Sequence, residues 1–191
     1  MAATIHVFFD FGGSVDAPGT EQDVDGFGPP EIRFKDADNA TIDTVNPLTI
    51  PAAGTFRSRW KSLYIEATAG AGFTIDNVRF FTDRTNSYGT GVDVDIGTEH
   101  PVKNSGANTG YDVSDVSDEV LTNHADITAV TDVFALTAGA PRTVTISEAG
   151  SVINATGESC NYVLLQMKVA DTASPGELPV DETFTFRYDE V

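Results

Sequence analysis

The stretch Asn161-Tyr-Val-Leu-Leu-Gln-Met-Lys-Val-Ala170 decides the fold. Val163, Leu165, Met167 and Val169 alternate with Tyr162, Leu164, Gln166 and Lys168. That spacing has the period of two that a pleated strand imposes. A run this apolar predicts the central core strand of a sheet. Downstream, Ser174-Pro175-Gly176 opens a loop that ends near Asp181. Phe184, Phe186 and Tyr188 then alternate with Thr183, Thr185 and Arg187 in a terminal strand. Upstream, strand patterns are expected at 133–137 and at 142–147, with Val144 and Ile146 facing in.

Further toward the N-terminus, Val92, Val94 and Ile96 alternate with Gly91, Asp93 and Asp95. Residues 56–68 and 73–82 read as two strands. The glycine-containing break Thr68-Ala-Gly-Ala-Gly72 between them suggests a hairpin. Residues 4–11 form another strand, with Ile5, Val7, Phe9 and Phe11 on one face and an extra apolar residue, Phe8, on the other. Residues 12–30 carry so many glycines and prolines that they read as a long loop. Residues 31–35 suggest a short strand. Pro47 and Pro51 bracket an edge or polyproline segment.

Composition points the same way. Thr (23) and Val (19) far outnumber Leu (7), and both are β-branched residues that suit a pleated surface. Asp (19) outnumbers Glu (10), a bias toward turns over helices. The one departure is residues 97–131, which are polar and poor in strand pattern. Within them Val113, Val116, Val120 and Leu121 fall at helical spacing, behind Asp112 and Asp115 near a helix start. The expected architecture is therefore all-β: a Greek-key or jelly-roll-like β-sandwich with long loops and one short helix at about 113–122. It is expected as a single domain over 1–191, with a long excursion at about 97–131.

With 11 Lys and Arg against 29 Asp and Glu, the formal net charge of −18 repels phosphate and argues against nucleic acid as a partner. No apolar run is long enough for a membrane-spanning helix. The N-terminus carries no secretory pattern, so synthesis in the host cytoplasm is expected. The acidity, with only four Lys, reads either as a solubilising surface or as adaptation to high salt.

Catalytic chemistry finds little support. There is no Gly-x-Ser-x-Gly elbow and no His-Glu-x-x-His motif. The one cysteine, Cys160, reads as a small buried hydrophobe. His6 reads as structural. His100 and His124 both fall in the excursion, as loop residues or as a pair that meets in space. Glu21-x-Asp23-x-Asp25-Gly26 matches the first half of a calcium loop, in which alternate oxygens converge on the ion. The second half fails, because Ile32 stands at the twelfth position, where a bidentate Glu is needed. Glu21, Asp23 and Asp25 are thus the candidate metal ligands, for calcium, and no other cofactor is expected. Trp60, Tyr64, Tyr88 and Tyr111 are either sugar-stacking or core aromatics. With so many acids, a carboxylate pair at hydrolase spacing would arise by chance.

Phe73-Thr-Ile-Asp-Asn-Val-Arg-Phe-Phe-Thr-Asp83, followed by Gly89-Thr-Gly-Val-Asp-Val-Asp-Ile-Gly97, resembles virion structural proteins of tailed phages or archaeal tailed viruses. Tyr162–Ala170, Thr172–Gly176 and Glu182–Glu190 are similar to the terminal strand pair of such proteins. The resemblance implies a β-sandwich on the capsid or tail, as in capsid decoration (cement) proteins, and it transfers no active-site residue. It implies a virion location, the major capsid protein or other virion proteins as partners, and a homo-oligomer such as a trimer. Phe8, Phe27, Phe56 and Trp60 are the candidate apolar anchors at such contacts, set against ordinary burial in the core. The alternative function is a tail or surface binding module, a glycan- or calcium-binding β-sandwich.

Overall fold

A computed structural model describes residues 2–24, 32–41, 45–83, 88–175 and 182–191. Ten strands are assigned among them: β1 (Thr4–Ser14), β2 (Ala17–Asp23), β3 (Thr55–Arg57), β4 (Lys61–Ala69), β5 (Ile75–Thr82), β6 (Val92–Gly97), β7 (Val130–Asp132), β8 (Arg142–Thr143), β9 (Val163–Ala170) and β10 (Phe184–Glu190). They form two antiparallel sheets. The larger runs β2-β1-β4-β9-β6-β7, with β3 also paired to β9; the smaller runs β10-β5-β8. The chain passes back and forth between the sheets, so that the fold is all-β and two-sheeted, consistent with a β-sandwich.

The strand quoted first is the centre of the larger sheet. On one side β9 pairs with β6, from Val92↔Val169 to Ile96↔Leu165. On the other it pairs with β3 and β4. Between Arg57↔Lys168 and Lys61↔Leu165 the β3–β4 segment holds one residue more than β9, which makes a bulge at Ser58–Trp60. Ser58 stitches it: its N–H donates to the Met167 carbonyl at 2.9 Å, and its Oγ accepts from the Met167 N–H at 3.0 Å.

Both faces of β9 are covered. Val163, Leu165 and Met167 join the main core with Ile75, Phe80, Val94 and Ile96. On the opposite face Leu164 packs with Trp60, and with Leu121 and Ile127 of the excursion. The excursion, residues 98–129, lies over that face. Its base closes where the Thr98 N–H donates to the Ala129 carbonyl at 2.9 Å. Its fit is close at Gly97, where a Cβ would stand 2.7 Å from Ile127 Cδ1. A strand buried on both faces carries apolar residues at odd and even positions alike.

Four expectations need correction. No α-helix forms at 113–122; the segment is irregular up to a single 3₁₀ turn at Leu121–Asn123, which overlaps its end. The backbone N–H groups there are taken by side chains. Val113 N–H donates to Asp112, Asp115 N–H to Glu119 and Leu121 N–H to Gln166, while the Ser114 carbonyl accepts from Arg59. Asp, Ser and Glu side chains of this kind compete with helical bonding. Val116 and Val120 are exposed rather than on a buried helix face.

Residues 12–23 are not a loop, since β1 continues to Ser14 and turns into the edge strand β2. A polar, proline-containing segment is tolerated there because only one side needs ladder bonds. Gly13, at φ 84°, enables the turn; a Cβ on it would meet the Ala17 carbonyl at 2.2 Å. Residues 56–82 are not a hairpin, because β4 and β5 belong to different sheets. The strands expected at 31–35, 133–137 and 142–147 shrink or vanish. Residues 32–35 pair with nothing in a ladder, Val133–Ala135 is a 3₁₀ turn, and only Arg142–Thr143 is strand. Val144 and Ile146 nonetheless face inward and are buried.

Candidate functional site

A connected group of polar side chains lies between the larger sheet and the excursion. Asp10 sits in the middle of β1, within Phe8-Phe-Asp-Phe11, and is only 3% exposed. The Tyr162 hydroxyl donates to its Oδ2 at 2.5 Å. The Tyr64 hydroxyl lies 3.1 Å from its Oδ1 and also within bonding distance of Glu21 on β2. Register explains the convergence. Asp10 is opposite both Glu21 and Ser62, so all three point to the same face, and Tyr64 shares it two residues on.

The excursion roofs this group. The Lys103 Nζ stands 4.5 Å over the Tyr64 ring and 4.0 Å from Glu21, while the Tyr111 ring is 6.0 Å from Tyr162. Tyr111 donates its hydroxyl to the Gly12 carbonyl at 2.7 Å, tying the excursion to the hairpin. Burial raises the Asp10 carboxyl above the ordinary aspartate range, against the bonds from the two tyrosines and the charge of Lys103. Burial likewise raises Glu66 and pushes the hydroxyls of Tyr64, Tyr111 and Tyr162 up, so that these stay protonated. Glu21, with its side chain 44% exposed, is where the group meets solvent. Such an arrangement can bind and release a proton.

Two further polar side chains brace the excursion. Gln166 of β9 donates through Nε2 to the carbonyls of Ser58 (2.8 Å) and Glu119 (2.5 Å), and accepts from Leu121 N–H at 2.9 Å. Glu148 accepts from the Ser105 N–H at 2.6 Å, the Ser105 hydroxyl at 3.0 Å and the Ser159 N–H at 3.1 Å. Glu99, half-buried, is held down at about 2 by hydrogen bonds from Thr128 and Thr98.

The residues singled out by sequence fall as follows. Glu21 and Asp23 lie on strand β2 rather than in a calcium loop, where they contact Tyr64 and His6; His6 Nδ1 to Asp23 Oδ2 is 2.6 Å. Alternate residues of a strand are spaced along it and do not wrap a cation as a loop does. Asp25 and Phe27 lie outside the described residues. No group of three or more His, Cys, Asp or Glu placed to hold a metal occurs among the described residues. Phe8 and Trp60 are buried and Phe56 is half-buried, opposite Val169. Tyr64 and Tyr111 are buried as well, and Tyr88 packs edge-on against Phe134.

His100 and His124 have different neighbours. Burial lowers both imidazoles. The charges nearest His100 are Arg142 and Glu99, and those nearest His124 are Asp112 and Asp126. Cys160 is fully buried, and burial pushes its thiol up to about 12, which keeps it inert.

Asp10, Tyr162 and Lys103 were absent from the sequence expectations. The signal lay in Asp10 itself: a carboxylate amid three phenylalanines on a strand needs buried partners. Which partners these are depends on register and on the path of the excursion. No protein-family model, curated protein or solved structure matches the chain.

Proposed function

We propose that this chain is a non-catalytic structural protein of a virion, of the capsid decoration kind, binding the major capsid lattice as a homo-oligomer. The observation that carries the reading is how the polar side chains are used. Glu148 ties Ser105 of the excursion to Ser159, Gln166 ties the excursion to β9, and Asp10 ties β1 to Tyr64 and Tyr162, so that each is spent on structure. A plate with both faces of its central strand covered is suited to bearing load at fixed points on a lattice. The strand and turn resemblance to tailed-virus structural proteins supports the choice of lattice. The finer reading of the chain path, Greek-key or jelly-roll-like, belongs with this proposal.

The test is made on purified particles from the source of this sequence. Mass spectrometry should find the chain at a fixed ratio to the major capsid protein. Electron microscopy should place it as discrete oligomers on the shell. Its absence from washed particles overturns the proposal.

A further inference from the structure

We infer that Asp10 is a neutral carboxylic acid in the folded protein, and that lifting the excursion away from it releases a proton. A tyrosine hydroxyl carries one hydrogen and can accept another. Tyr162 uses its hydrogen on Asp10 Oδ2. The Tyr64 hydroxyl lies between Asp10 Oδ1 and Glu21 Oε2, within bonding distance of both. With both carboxylates ionised, those three oxygens would share a single hydrogen, leaving one contact as oxygen against oxygen. A second hydrogen on a carboxyl group completes the chain Asp10 Oδ1–H to Tyr64 Oη–H to Glu21.

Burial decides which carboxyl carries it. Asp10 is 3% exposed, whereas the Glu21 side chain is 44% exposed and faces the Lys103 ammonium at 4.0 Å. Ionising the buried group costs more. The groups facing Asp10 are Glu21 from β2, Tyr64 and Glu66 from β4, Tyr162 at the entry to β9, and Lys103 and Tyr111 from the excursion. Burial outweighs the groups that favour the anion, which are the Tyr162 and Tyr64 hydroxyls and the Lys103 charge; Glu21 and Glu66 oppose it. When the roof of Lys103 and Tyr111 lifts, water reaches Asp10 and the proton leaves. Acid therefore holds the roof closed and alkali favours its opening.

The test uses the full chain. Infrared spectroscopy at neutral pH should show a protonated-carboxyl band that is lost in Asp10→Asn. In Asp10→Asn the amide N–H₂ replaces the acid hydrogen toward Tyr64, and its oxygen accepts from Tyr162. This variant should fold and melt at or above the wild-type temperature at about pH 8. The wild-type midpoint should fall relative to the variant as pH rises from about 5 to about 9. Absence of the band in the wild type overturns the inference. So does persistence of the whole band in Asp10→Asn, or an Asp10→Asn protein that fails to fold or melts well below wild type throughout that range.

Discussion

Lys61 shows what one residue can cost this fold. It is 1% exposed on β4, and its ammonium, 5.7 Å from the Phe9 ring centroid, has no hydrogen-bond partner. Burial lowers it to about 8, against the pull of Asp38, while Lys35 and Arg59 add repulsion. The folded chain thus binds this proton less tightly than the unfolded chain does. Between about pH 8 and the ordinary lysine value of 10.5 the unfolded state carries more protons, so stability attributable to this site rises with pH. Lys61→Met should raise unfolding free energy at pH 7 by on the order of 1–4 kcal/mol, the range for replacing buried charge with apolar groups of similar volume. Denaturant titrations at pH 7 and pH 10 check it: the gain should shrink at the higher pH. From sequence, Lys61 reads as one more residue of a 56–68 strand. Its burial follows from the bulge at Ser58–Trp60, which no local pattern announces.

At the scale of elements, the excursion and β9 depend on each other. From a buried strand position Gln166 donates to the Glu119 carbonyl and accepts from the Leu121 N–H of the excursion, and it donates to the Ser58 carbonyl of the bulge. Gln166→Ala would leave the Leu121 N–H and the Ser58 and Glu119 carbonyls without that partner. A loss of about 2–4 kcal/mol is expected from buried groups left unsatisfied. Amide exchange should speed up first at Leu121, while β5 and β10 in the other sheet stay protected, as hydrogen-exchange mass spectrometry would show. Alternation predicted β1, β6, β9 and β10, because each repeats its apolar residues at a period the ladder itself requires. The helix at 113–122 failed because spacing alone cannot register that Gln166, Arg59 and Glu119 claim the backbone groups a helix would use.

For the whole molecule the governing quantity is charge. A net −18 over 191 residues raises the energy of the compact state through self-repulsion, which salt screens. The thermal midpoint should rise steadily as sodium chloride goes from about 0.05 M to about 1 M, where the screening length falls to about 3 Å. A midpoint unmoved by salt would mean that the acids are too widely spaced to repel. The all-β class, the acidity and the central place of residues 161–170 follow from composition and period, which are local properties that each residue carries into any conformation. The split of β4 and β5 between two sheets, the roof over Asp10 and the burial of both faces of β9 do not. They were decided only when residues far apart in the chain met, because burial and hydrogen-bond partnership are properties of neighbours in space.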